Sequence, residues 1–138
     1  MKKIRNIERL KGPSLFLLRL GIVLIFLYHG IPKATDWAMS QEKFAAMGFP
    51  GFLGPIVGIT EVLASILLLF GAWTTLSSLA LLVITSVALI GLQIPGAQAA
   101  GMFLTAGLER EILILISTLI LIGHGPGSAS IEKKQALT

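Results

Sequence analysis

Ser14–Ile31 reads SLFLLRLGIVLIFLYHGI, eighteen residues with a single formal charge at Arg19. At ~1.5 Å of rise per residue such a run approaches the ~30 Å of hydrocarbon in a bilayer. A charge near the bilayer centre costs at least ~2.5–3.5 kcal/mol on insertion scales, so Arg19 needs a reason to be there. Three further apolar runs follow: Leu53–Ala72 with Glu61, the uncharged Leu76–Ile94, and Phe103–Gly123 with Glu111 beside Glu109 and Arg110. The runs lack the alternation of barrel strands, and an open backbone in lipid must satisfy its own hydrogen bonds, which leaves helices. The expectation is an all-α fold: one integral membrane four-helix bundle filling residues 1–138, with spans at about 14–31, 53–72, 76–94 and 103–123. Gly12-Pro13, Pro32, Pro50-Gly51, Pro95-Gly96 and Gly125-Pro126-Gly127 punctuate these limits.

Composition supports a membrane domain. The chain is 138 residues long, 54% hydrophobic and 13% charged, about half the charge of an average soluble domain. It has no cysteine, which excludes disulfides, thiol chemistry, cysteine-bound zinc and iron–sulfur clusters. The net charge of +4 gathers at the chain ends, which suits anionic lipid headgroups rather than nucleic acid. Lys2, Lys3, Arg5, Arg9 and Lys11 precede the first run, and Lys133 and Lys134 follow the last. The connection between runs one and two holds only Lys33 and Lys43. Both termini are therefore expected in the cytoplasm, in a multi-pass protein of the inner (plasma) membrane. No A-x-A-like cleavage site follows the first run, so it is read as a span rather than a signal peptide.

The longest connection, 32–52, carries a second expectation. Thr35 or Asp36 can cap a short helix whose apolar side is Trp37, Phe44 and Met47, lying along the outer surface or across the mouth of the bundle. The tail after Gly127, SASIEKKQALT, is polar and reads as loose.

Helix arithmetic places Arg19, Glu61 and Glu111 in one layer about 8 Å thick, with Arg19 between the two carboxylates. His29 and Lys33 lie above that layer toward the outside, and Glu109 is placed to approach them. Arg19, His29, Lys33, Glu61 and Glu111 form the candidate buried polar or ligand-binding cluster, opening outward. Arg110 and Glu111, ~100° apart on a helix, are not expected to point inward together. A buried ion pair can equally do no more than fix helix order and register. His29 and His124 differ in depth by roughly 25 Å, so one haem iron cannot take both. No metal set and no flavin or nicotinamide fingerprint is present.

The runs LLRLGIVLIFLYHGIPK, GITEVLASILLLFGAWT and GLEREILIL, with Gly48-Phe49-Pro50 and Gly125-Pro126-Gly127, together resemble the DoxX family of small four-helix membrane proteins. The similarity covers about residues 15–131. After the Gly-Pro-Gly the family usually continues through a basic or aromatic residue to Ser-Leu-Asp, where this chain has Ser128-Ala129-Ser130-Ile131-Glu132. The resemblance implies a respiratory or redox association: an accessory or quinone-interacting component with a membrane or soluble oxidoreductase as partner, no cofactor identifiable in the chain itself, and the cofactor either on the partner or a lipid-soluble quinone. A non-enzymatic scaffold or assembly factor, a small transporter, and a homo-oligomer stay open.

Overall fold

The computed structural model describes the backbone of residues 2–132 and the side chains from Glu8 onward. The side chains of Lys2, Lys3 and Arg5, and all of Lys133 and Lys134, lie outside the described residues. The described chain is all helical: α1 (Lys2–Thr35), α2 (Trp37–Ala46), α3 (Leu53–Phe70), α4 (Thr74–Ala88), a π-helical segment (Leu89–Gln93), α5 (Ile94–Ala99) and α6 (Ala106–His124).

Three helical stretches are long and apolar enough to cross a membrane: Glu8–Thr35, Leu53–Phe70 and Thr74–Ala99. The fourth expected span, α6, has 19 residues but carries Glu109, Arg110 and Glu111 near its start and is not among them. The exterior is what a bilayer requires. Leu17, Leu24, Leu63, Val83, Ile90 and Leu113 each expose more than half of their surface, while the interior holds small and hydroxyl-bearing residues.

The first helix is longer than its punctuation implied. Pro13 and Pro32, read as span limits, both lie inside α1. A proline removes one backbone donor, and a membrane helix tolerates this when neighbouring groups re-satisfy the freed carbonyls. At the C-terminal end of α1 the carbonyls are taken in turn. Thr35 Oγ1 donates to Ile31 O at 2.8 Å, the Asp36 N–H to Pro32 O at 3.0 Å, and the Trp37 indole to Ala34 O at 2.8 Å.

Asp36 then starts α2 by accepting from the Met39 N–H at 3.0 Å, as its position in the sequence predicts. α3 ends in a Schellman turn: Gly71 takes φ +62°, its N–H donates to Leu68 O, and the Ala72 N–H donates to Leu67 O. Thr105 caps α6 through the Leu108 N–H at 3.2 Å.

Close backbone approach sets the register. Gly54, Gly58, Glu61, Ala64, Ser65 and Leu68 make the buried stripe of α3. A Cβ on Gly58 would lie 2.5 Å from Lys33 Cβ and 2.7 Å from Ala34 N, and one on Gly30 would lie 2.9 Å from Glu61 Cβ. α1 and α3 thus touch backbone to backbone, antiparallel, with Gly30 opposite Glu61, Lys33 opposite Gly58 and Arg19 opposite Gly71. This contact decides which charges meet.

Candidate functional site

The register puts Lys33 against Glu61. Lys33 Nζ donates to both Glu61 carboxylate oxygens, each at 2.8 Å, and the Glu61 side chain is 3% exposed. Arg19 is therefore not the partner of Glu61, and the expected Arg19–Glu61–Glu111 cluster does not form. Fourteen residues separate Arg19 from Lys33, roughly 21 Å along α1. Equal depth in separate spans carried no information about the register that Gly30 and Gly58 impose.

Glu111 sits on the buried stripe of α6 with Leu108, Ile114, Thr118 and Leu121. Its partner is the adjacent Arg110, whose Nη2 lies 3.1 Å from Glu111 Oε1. The expectation that these two diverge is corrected. Their Cα–Cβ directions differ, but the long guanidinium arm folds back, and both side chains line one cavity. Glu109 is exposed. The place beside His29 and Lys33 expected for Glu109 is taken by Arg110 and Glu111.

The cavity has a volume of about 410 Å³, within the range usual for small-molecule sites. Its polar end is built from His29 and Lys33 of α1, Glu61 of α3 and Arg110–Glu111 of α6. Apolar walls come from Ile25, Phe26, Val57, Ile84 and Ile114. Phe44 of α2, with Met47 and Phe49 just beyond it, closes one side, and the Phe44 and Phe49 rings lie 6.2 Å apart. The short helix expected over the bundle mouth thus contributes to the cavity, although Trp37 on it is exposed. A second space of about 320 Å³ between α1 and α2 shares His29, Lys33, Phe44 and Met47 and adds Lys43 and Tyr28.

Four of the five candidate residues, His29, Lys33, Glu61 and Glu111, meet at this cavity. Two cations are matched by two carboxylates in adjacent pairs, so the polar end is rich in donors yet balanced in formal charge. Lys33 has one N–H beyond the two spent on Glu61, and Arg110 has donors beyond the one spent on Glu111. Among the described residues, no group of three His, Cys, Asp or Glu side chains can hold a metal ion.

Two lining residues were not singled out in the sequence. Arg110 was expected to point away from the interior that Glu111 faces. Gln93 ends the π-helical segment, a geometry often found at functional sites. Its amide packs over Gly107, where any Cβ would collide with it. A single amide near the C-terminal end of an otherwise uncharged run was the available signal.

Arg19 has a different setting. It is 1% exposed, lies over the Phe16 ring with 5.3 Å to the centroid, and donates to Pro126 O and to Ala129 O, the latter at 2.7 Å. Residues 125–132 are thus not loose, as the polarity of the tail implied, and residues 133–138 lie outside the described residues. The described part crosses the end of the bundle as a strap. The Ser128 N–H donates to Gly12 O at 3.1 Å, Ile131 to Phe70 O at 3.0 Å and Glu132 to Gly71 O at 3.0 Å. The Glu132 carboxylate accepts from the Thr74 N–H at 3.1 Å, a favourable place for an anion at the start of α4. Uncharged backbone carbonyls, rather than acids, satisfy this cation.

Comparison with known proteins agrees with this architecture. A protein of Haemophilus influenzae, described as uncharacterized, is 26% identical over 132 residues, covering 95% of this chain and 97% of its own. An uncharacterized membrane protein of Mycobacterium tuberculosis is 24% identical over 132 residues, covering 88% of this chain and 81% of its own. The inner membrane protein YqjF of Escherichia coli is 31% identical over 72 residues, covering 52% of this chain and 55% of its own. No solved structure matches. With its apolar helices and membrane-protein relatives, the chain is a multi-pass protein of the inner membrane in contact with the lipid bilayer. The model of the DoxX family matches residues 14–94, more than half of the sequence, and the chain belongs to that family.

Proposed function

We propose that this protein is an accessory, quinone-interacting component of a membrane redox system, and that the cavity beside Lys33 and Glu61 receives the quinone head. In this reading α6 is the fourth span, both termini are cytoplasmic, and the cavity lies in the outer half of the bilayer. The exposed Arg9 and Lys11 at the far end of α1 favour that orientation.

The observation that carries the proposal is a cavity of about 410 Å³ whose charges cancel pairwise at one end and whose remaining wall is apolar except for Thr85 and Gln93. A quinone is uncharged, accepts hydrogen bonds at two carbonyl oxygens, and is otherwise a flat apolar ring. The spare Lys33 N–H, the His29 ring and the spare Arg110 N–H groups supply donors, and Glu61 and Glu111 are proton acceptors within the same wall. The chain's part is to bind and orient the head and to hold protons close to it. The electrons belong to a partner oxidoreductase.

The test is equilibrium binding of a quinone with a ten-carbon tail to the protein in lipid nanodiscs. One saturable site is expected, and His29→Leu should weaken it up to roughly tenfold, the worth of one hydrogen bond at most. Binding that does not saturate, or that ignores His29→Leu and Lys33→Met alike, contradicts the proposal. It would favour a scaffold instead, in which the complete pairing of Glu61 with Lys33 serves only to lock α1 to α3.

A further inference from the structure

The cavity wall does not end inside the bundle. Val83 and Val87 of α4 line it, yet 61% and 50% of their surfaces are exposed. Leu53 and Val57 of α3 line the same space from the other side. α3 and α4 are joined by the tight Gly71–Trp73 turn at one end, and the cavity separates their other ends. Phe49 roofs this gap by reaching over to the π-helical segment, where a Cβ on Gly91 would lie 3.2 Å from Phe49 Cζ. Because the exterior of α4 faces acyl chains, the cavity is continuous with the lipid phase through an apolar window between α3 and α4. The other approach, between α1 and α2, is flanked by Lys33 and Lys43 and suits water or protons rather than a hydrocarbon chain.

We propose that the ligand is an amphiphile with one uncharged polar head and a single alkyl or isoprenoid tail, that it enters sideways from the membrane between α3 and α4, and that its tail stays in the window formed by Leu53, Val57, Val83 and Val87. This rests on the reading of the cavity as a ligand site and adds the route and the tail. A two-tailed anionic phospholipid fits neither the charge-balanced polar end nor a window of this kind.

The experiment compares a tail-less quinone with its ten-carbon-tail analogue, each corrected for membrane partitioning, on wild type, Val83→Trp/Val87→Trp and Leu79→Trp in nanodiscs. Leu79 is also exposed on α4 but does not line the cavity. Wild type and Leu79→Trp should prefer the tailed analogue by roughly tenfold, the equivalent of about two buried methylenes. The double tryptophan variant should lose that preference, binding the tailed and tail-less analogues within about twofold of each other. Equal preference for the tail in wild type and the double variant overturns the window, as does a wild type that ignores the tail. Absence of binding by either analogue to wild type overturns the site itself, and so is told apart from failure of the window alone.

Discussion

Arg19→Leu is expected to release residues 126–132 and to lower stability by about 1–3 kcal/mol, because it leaves the buried Pro126 O and the part-buried Ala129 O without their donor. Leucine removes the cost of holding a guanidinium in a dry place, which works the other way. Arg19 has already offset much of that cost through two charge-assisted bonds and the Phe16 ring, so the orphaned carbonyls decide the sign. Arg19→Lys should restore less than half of the loss, since one ammonium does not reproduce a planar fork reaching two carbonyls. Thermal unfolding in detergent reads the stability, and proteolysis after Gly125 reads the strap. Quinone affinity should stay within about twofold of wild type, because His29 and Lys33 at the polar end of the cavity lie roughly 15 and 21 Å away along α1. A variant whose strap stays as protected as wild type would show that Arg19 is not its anchor.

Lys33→Met should be the most damaging single change at the cavity, at about 3–5 kcal/mol, since it leaves the 3%-exposed Glu61 carboxylate unpaired. Glu61→Leu should cost less. The Lys33 side chain is 27% exposed and can swing its ammonium toward the mouth, whereas the Glu61 side chain is only 3% exposed and shorter. The double change Lys33→Met/Glu61→Leu should return to within about 1 kcal/mol of wild type, because an apolar pair replaces an ion pair at little net cost. Quinone binding should nevertheless fall with the double change, as the head loses its donor and the adjacent proton acceptor. Restored stability with lost binding separates a working site from a locked one. Restored stability with binding intact supports the scaffold.

The sequence carried the helices well where the signal was local. The α3 stripe of Gly54, Gly58 and Glu61, the Asp36 cap of α2 and the inward face of Glu111 all follow from spacing along one helix. What was not legible depends on neighbours. The partner of Arg19 lies more than a hundred residues away, in a stretch with no charge to advertise it. Lys33 was placed above the Glu61 layer, past a span read as ending at Pro32, but α1 continues to Thr35 and carries Lys33 against α3. Gln93 reaches the cavity through a π-helical turn, which displaces side chains from the 3.6-residue pattern on which helical faces are read.

A photoreactive quinone carrying its azide on the ring, crosslinked in nanodiscs and mapped by mass spectrometry, asks most directly where the head sits. Adducts should concentrate on His29, Lys33, Gln93 and Arg110 and be competed away by unlabelled quinone. Adducts around Arg19 and the strap, or spread over the lipid-facing leucines without competition, would contradict the assignment of the Lys33–Glu61 cavity as the quinone site.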